Sequence, residues 1–172
     1  MGRLRLASRT AHRCLIDVVH SCGDPHDIAI TRALLDLAVH DLGANGIGAP
    51  VGLPRRHRRP PDPTSTRSCR CHSIRIDRPT DLAPLRQCPA QIDGAAVFGP
   101  DGVLRQLGVH LMPSDEVART VDGFRGTRHT SGLRYSYDDP AATVITVSED
   151  GPVAVFRRGS VLGRSDPTTG RG

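Results

Sequence analysis

The 172-residue chain has no lysine and no tryptophan, and aromatic residues make up only 3% of it. The absence of lysine excludes a P-loop lysine, a lysine Schiff base and a kinase-type strand lysine. All 23 basic residues are arginine, whose planar fork binds phosphate oxygens in pairs. Any phosphate chemistry must therefore rely on arginine, backbone N–H groups and metal, and the core must be built mainly of Val, Leu, Ile and Ala.

Long apolar runs are also missing, since no stretch approaches the roughly 18 apolar residues that span a membrane. The apolar run from Cys14 to Val19 is short and contains Asp17, which makes it a poor signal peptide. The five cysteines are odd in number and have no secretion signal beside them, which argues against a disulfide framework. The sequence predicts a cytoplasmic protein with no membrane contact.

The net charge of +5 is unevenly distributed along the chain. Residues 50–79 hold eight Arg and two Asp, a net of +6, whereas residues 1–49 sum to 0 and residues 80–172 to −1. Because the basicity belongs to one segment, we do not expect the chain to bind nucleic acid. The same segment has six prolines and few apolar residues, which predicts a disordered or extended insert.

Two motifs inside this insert allow a binding function. Segment 69–72 (CRCH) has three soft ligands, but structural zinc sites usually space their cysteines more widely and add a second pair, so we favour free thiols. Segment 55–59 (RRHRR) has the charge to bind nucleic acid or an acidic partner. No aromatic residue interleaves with it, which favours a solvated run.

Periodicity and turn residues predict helices around a sheet. Asp24 is a helix cap, Pro25 suits the first helical position, and apolar residues recur at helical spacing as far as Leu42, which predicts a helix over 25–42. The other predicted elements are helices near 10–21, 81–87 and 127–137, strands over 95–98, 103–111, 142–147 and 152–156, and a polar loop over 112–126. This order predicts an α/β fold, a mixed β-sheet flanked by helices with a disordered Arg/Pro-rich insert.

Three short motifs lie where predicted strands and helices begin or end. Residues 93–95 (DGA) bring a carboxylate to the mouth of a strand, and the glycine lets a ligand approach. Residues 126–130 (GTRHT) open a helix, where the first N–H groups favour phosphate. Residues 148–151 (SEDG) lie between two predicted strands. Taken singly, each also has an ordinary structural explanation as a turn, a helix cap or a polar hairpin.

In this order and context, the three motifs resemble the diadenylate cyclase (DAC) family, which includes the nucleotide-binding domain of the DNA integrity scanning protein, DisA. The resemblance runs over residues 92–164. Residues 93–95 match the family's Asp-Gly-Ala motif, and residues 126–129 match its Gly-Thr followed by the first two residues of Arg-His-Arg. Residues 147–149 match the strand end that follows. Residues 46–49 are also similar to the family's entry into its first core strand.

The resemblance implies a nucleotidyltransferase that condenses two ATP molecules into cyclic di-AMP with a divalent metal, Mg²⁺ or Mn²⁺. It implies that Asp93 is the catalytic residue, binding metal and activating the attacking 3′-hydroxyl, with Glu149 as a second candidate metal ligand. The nucleotide contacts that it implies come from Gly94, Ala95, Gly126, Thr127, Arg128, His129, Thr130, Ser148 and Glu149. Each domain of the family holds one ATP and two domains must face each other, which implies a homodimer or higher homo-oligomer.

One position departs from the family's pattern. Thr130 stands where the Arg-His-Arg motif has its third residue, so one phosphate-binding cation is missing. We therefore expect retained ATP binding and weak or absent cyclisation, with Arg125 or Arg134 as nearby candidates to compensate. The alternative is a non-catalytic DAC-like module that binds a nucleotide as a sensor or scaffolds an assembly.

Composition and resemblance together divide the chain into four parts. These are a helical part of the DAC-like domain over 1–49, the insert over 50–79, the nucleotide-binding core over 80–164 and a disordered tail over 165–172. The insert occupies the place where the family's pattern has core strand and helix. Its composition is typical of GC-rich codons translated out of frame, so a frameshifted segment is one explanation for it.

Overall fold

The structure, a computed structural model, describes residues 25–42, 50–53, 69–70, 74–124, 126–148 and 152–165. Within these ranges no helix is both long enough and apolar enough to cross a membrane. The predicted helix near 10–21 and residues 166–172 of the predicted tail lie outside the described residues.

A seven-stranded sheet is the centre of the described fold. Its strands are β1 (Pro50–Leu53), β2 (Cys69–Arg70), β3 (Ala95–Phe98), β4 (Leu104–Val109), β5 (Thr143–Val147), β6 (Val153–Arg157) and β7 (Ser160–Ser165). Their order across the sheet is β2-β4-β3-β1-β5-β6-β7. The pair β1–β3 is parallel and the other neighbours are antiparallel, so the sheet is mixed. This confirms the predicted α/β class.

Helices flank the sheet. They are α1 (Pro25–Asp36), which continues as a π-helical turn over Leu37–Leu42, α2 (Leu82–Gln91) after a 3₁₀ turn (Pro79–Asp81), α3 (Asp115–Thr120) and α4 (Thr127–Asp138). The predicted helix over 25–42 is therefore confirmed in extent, although its last turn is wider than an α-helix.

Both faces of the sheet are buried, which explains the β-branched run of β5. Val144 faces the cluster under α4, whereas Ile145 and Val147 face the cluster that α1 and α2 cover. Successive side chains of a strand point to opposite faces, so one short run supplies both cores. Phe156 is fully buried under α4 and contributes roughly 1.5–3 kcal/mol by its burial.

The start of the predicted insert is an ordered strand. After Ala49 the sequence predicts chain that does not pack, yet Pro50–Leu53 forms β1 between β3 and β5. Proline is tolerated at the first residue of a strand, and two strongly β-forming neighbours supply the backbone partners.

The end of the predicted insert is also ordered. Ile76 is only 3% exposed, and Arg75 bridges Val103. The segment predicted as a disordered or extended insert is thus ordered at both of its ends. Its remaining parts, 54–68 and 71–73, lie outside the described residues and include the basic run and half of the CRCH motif.

The predicted polar loop over 112–126 contains a short helix, α3. Ser114 caps it, since its hydroxyl accepts a hydrogen bond from the Val117 N–H at 3.3 Å. The Ser114 hydroxyl also donates to Asp138 at 2.8 Å, and Asp138 accepts from the Ser114 N–H at 2.6 Å. These bonds connect the start of α3 to the last residue of α4, an interaction that local sequence does not indicate.

Candidate functional site

Three strand ends meet at one edge of the sheet. Because β1 and β3 are parallel, their first residues lie side by side, with Val51 paired to Ala96. Strand β5 runs antiparallel to β1, so its end at Thr146 lies opposite the start of β1 at Pro50. The edge defined by Asp93–Gly94, before β3, and Ser148, after β5, is called the site edge below.

Helix α4 begins near the same edge. The chain reverses between Asp138 and Thr143, so α4 runs back over β5 and its first turn lies near the end of that strand. The packing is close, because a Cβ added at Gly132 would lie 2.7 Å from Thr146 Cγ2. The three motifs that the sequence predicts as one site are thus brought to one edge.

The backbone at Gly94 holds Asp93 at the surface. Gly94 has a φ of +110°, and a Cβ there would lie 2.6 Å from the carbonyl carbon of Gly108 on β4. The side chain of Asp93 is exposed, and its Oδ1 accepts from the Gly94 N–H at 3.0 Å. Ala95, in contrast, is fully buried in the core under α4.

The first turn of α4 has the character of an anion site. Gly126 is its N-cap with a φ of 75° and offers no side-chain cap, while Thr127 is exposed and Arg128 is half-buried. Orphan N–H groups and the positive end of the helix dipole both favour a negative ligand at such a position.

Thr130 closes the loop before α4 through its hydroxyl group. Its Oγ1 lies 2.6 Å from the Phe124 carbonyl oxygen and 2.9 Å from the Gly126 carbonyl oxygen, either of which accepts its proton. The same oxygen accepts from the Phe124 N–H at 3.0 Å. Thr130, at the third position of the Arg-His-Arg pattern, therefore holds this loop closed by hydrogen bonds to Phe124 and Gly126. We call this set of hydrogen bonds the clasp.

Arg134 fastens the other end of the same loop. Its Nε donates to the Val121 carbonyl oxygen at 3.0 Å, one helical turn beyond Thr130. Arg134 is one of the two candidates to compensate for the cation that position 130 lacks. Its Nε is used by the hydrogen bond to Val121. The other candidate, Arg125, lies outside the described residues.

His129 lies under the loop and not on the surface. It is 8% exposed, and its ring centroid lies 6.0 Å from that of Phe156 and 6.1 Å from that of Phe124. Burial lowers the pKa of His129 below its ordinary value, and the nearby charge of Arg164 lowers it further. The imidazole is thus neutral at pH 7.

This pKa shift predicts loss of stability in acid. The folded state disfavours the imidazolium, so the unfolded chain binds more protons than the folded one once the pH falls below about 6.5. We expect the free energy of unfolding, measured by urea denaturation, to fall between pH 7 and pH 5. His129→Phe should flatten the dependence, and the exposed control His110→Gln should keep it; equal slopes for wild type and His129→Phe would contradict the prediction.

The strand end at Ser148 completes the site edge. Ser148 is half-buried, and its N–H donates to the Pro152 carbonyl oxygen at 2.9 Å. Glu149, the second candidate metal ligand, lies outside the described residues. Among the described residues no three His, Cys, Asp or Glu side chains cluster as metal ligands. Asp93 is an exposed carboxylate, which fits a cation such as Mg²⁺ that is held by one or two carboxylates, water and substrate phosphates.

The sequence pattern of the family described as "DisA bacterial checkpoint controller nucleotide-binding", the DAC domain, matches residues 36–161. The chain belongs to this family. The match includes Asp93, the first turn of α4 and Ser148, so the site edge and the helix start near it both lie within the DAC domain. No curated protein matches the chain.

Solved structures share the DAC fold. A structure of a double mutant of DacA from Staphylococcus aureus has a TM-score of 0.52 at 19% identity and covers 80% of this chain and 87% of its own. A structure of a hypothetical membrane spanning protein from Bacillus cereus has a TM-score of 0.53 at 17% identity. The match covers 79% of this chain and 70% of that protein's chain. At these identities the likeness concerns the fold alone.

The structure adds two residues that no motif marks. Phe124 packs beside His129, and the Arg164 guanidinium carbon lies 5.8 Å from the centroid of the Phe124 ring. They come from a loop and from β7, so their proximity has no signal in local sequence. The roles of the predicted site residues in nucleotide and metal binding stay predictions.

Proposed function

We propose that this DAC domain binds ATP at the site edge and is a diadenylate cyclase-like nucleotidyltransferase whose cyclisation is slow. The observation that carries the proposal is the convergence of an exposed carboxylate, Asp93, and the first turn of α4 at one end of the sheet. A triphosphate needs cations and N–H donors, and a 3′-hydroxyl needs a carboxylate nearby.

Each part of the site has a distinct role. The N–H groups at Gly126 and Thr127, together with the guanidinium of Arg128, hold the triphosphate. Asp93 accepts the proton of the 3′-hydroxyl, and Ser148 contacts the nucleotide from the end of β5. Asp93, with Glu149, would also hold a divalent metal, Mg²⁺ or Mn²⁺, which neutralises charge on the phosphates when bound.

His129 acts through packing in this scheme. As a neutral imidazole between Phe124 and Phe156, it supports the first turn of α4 from beneath. Gly94 and Ala95 act in the same way, by bringing the backbone of β3 and β4 together under Asp93.

The product requires two copies of the chain. Cyclic di-AMP contains two nucleotides joined by two phosphodiester bonds, and each bond forms when a 3′-oxygen attacks the α-phosphorus of the facing ATP and pyrophosphate leaves. One site edge offers a single set of donors. A homodimer or higher assembly with facing site edges therefore completes the reaction.

Slow cyclisation follows from Thr130. Its hydroxyl is used by the loop before α4, and position 130 carries no charge where the family's motif has an arginine. Binding draws on several donors and tolerates this loss, but the transition state develops negative charge, and the loss of one stabilising donor costs about 10²–10³ in rate.

The same observation favours a second candidate function. A DAC domain that keeps the phosphate-binding turn but uses position 130 for structure can bind a nucleotide without turning it over. Such a chain would be a sensor or a scaffold.

Incubation of the purified protein with ATP and Mn²⁺ tests both candidates, with products identified by mass spectrometry. We expect the protein to bind ATP. We expect it to form cyclic di-AMP at a rate about 10²–10³ times lower than that of a DAC domain with an intact Arg-His-Arg motif. ATP binding with no product would favour the sensor or scaffold. A rate equal to that of the intact domain would contradict slow cyclisation, and failure to bind ATP would overturn both candidates.

Arg128→Ala tests the phosphate site within the same experiment. Loss of charge-assisted hydrogen bonds worth about 1.5–3 kcal/mol should weaken ATP binding roughly tenfold to a hundredfold without unfolding the protein. Arg119→Ala on the exposed side of α3 is the matched control and should bind ATP as wild type does. Equal affinity of the two variants would remove Arg128 from the site.

A further inference from the structure

Strand β7 ends at the site edge. It runs antiparallel to β6, which runs antiparallel to β5, so Ser165 pairs with Val153 and Val153 with Val147. The last residues of β7 and of β5 therefore lie at the same end of the sheet, although they are far apart in sequence.

Arg164 lies on the α4 face of that end. It pairs directly with Ala154, which belongs to the core cluster under α4, and residues paired across neighbouring strands share a face. Its guanidinium carbon lies 5.8 Å from the centroid of the Phe124 ring, within the range of a cation–π interaction.

The ring beneath this guanidinium belongs to the loop that enters α4. Thr130 bonds both the N–H and the carbonyl oxygen of Phe124, which joins the ring to the first turn of the helix. The charge of Arg164 also lowers the pKa of His129, a first-turn residue, which is consistent with a guanidinium close to that turn.

We propose that Arg164, seated on Phe124, is a second phosphate-binding cation of the nucleotide site and supplies from β7 a charge that position 130 lacks. The inference rests on the proposed ATP site. A guanidinium that lies over an aromatic ring keeps its N–H donors in the plane of its fork, the arrangement that binds phosphate oxygens.

Arg164→Gln, assayed by isothermal titration with ATP and with adenosine, tests this role. We expect ATP affinity to fall by about tenfold or more, because a charge-assisted contact is lost, and adenosine affinity to stay unchanged. Arg158→Gln is the matched control, since it removes the same charge from the exposed turn at the opposite end of β7 and should leave both affinities unchanged.

Several outcomes separate this inference from the proposed function. ATP affinity that survives Arg164→Gln but falls with Arg128→Ala would overturn the role of Arg164 and keep the ATP site. Equal losses for ATP and adenosine would assign Arg164 to the base and overturn the phosphate role. A wild-type protein that binds no ATP would overturn both. If Arg164→Gln fails to fold, Arg164→Met keeps the apolar stem on the ring and is read in the same way.

Discussion

Replacing Gly94 by alanine is expected to destabilise the protein by about 3 kcal/mol or more. The new Cβ would lie 2.6 Å from the Gly108 carbonyl carbon, a backbone atom that cannot rotate away, and the φ of +110° is one that L-residues rarely adopt. Backbone strain and overpacking each cost about 1–3 kcal/mol. Urea denaturation measures the loss.

Gly123→Ala is the matched control for this change. A Cβ at Gly123 would lie 3.6 Å from Thr130 Oγ1, an ordinary contact, and we expect a change within about 0.5 kcal/mol. If Gly94→Ala is as stable as this control, β3 and β4 do not approach as closely as described, and the support for Asp93 at the site edge is lost.

Replacing Thr130 by valine is expected to open the loop before α4. Valine keeps the shape of threonine but removes the oxygen that bonds Phe124 and Gly126, and each lost hydrogen bond costs about 0.5–1.5 kcal/mol. We expect a lower free energy of unfolding and weaker ATP binding, because the first turn of α4 and the Phe124 ring shift together.

Thr130→Ser keeps the hydroxyl and should restore both stability and ATP affinity. Rescue by serine distinguishes a hydrogen-bonding role from a requirement for threonine's methyl group. If valine is tolerated as well as serine, the hydroxyl does not hold the loop.

Thr130→Arg separates the two roles of this position. It restores the third residue of the family's Arg-His-Arg motif but also removes the clasp on Phe124. We expect cyclic di-AMP formation to rise only in a variant that remains folded, and thermal unfolding should show a lower melting temperature than wild type. A rise in rate with unchanged stability would mean that the clasp contributes nothing.

The site was predictable in its parts because its motifs are local. Gly126 followed by Thr127 and Arg128 marks a helix start of the kind that favours anions, and Asp93-Gly94 marks a turn before a strand. Both signals depend on backbone conformation over three or four residues. Their meeting at one edge depends on strand order, which no local pattern encodes.

The segment 50–79 shows where composition misleads. Arginine and proline predict chain that does not pack, and the expectation fails at Pro50–Leu53 and at Ile76. Strand β1 is held by backbone bonds to β3 and β5, so its place in the sheet depends on these two neighbours. The division of the chain into domains stays a prediction.

The amino-acid sequence by itself determined the class of the fold and the chemistry available to it. Helical spacing up to Leu42 and the β-branched run of β5 favour helices over a buried sheet, and the absence of lysine leaves arginine as the permanently charged cationic side chain of the chain. Only the tertiary structure decided which contacts individual residues make. It buried His129 between two rings, made Thr130 a clasp and brought Arg164 from β7 to Phe124, because these contacts join elements that are distant in sequence and form only when the sheet and α4 pack together.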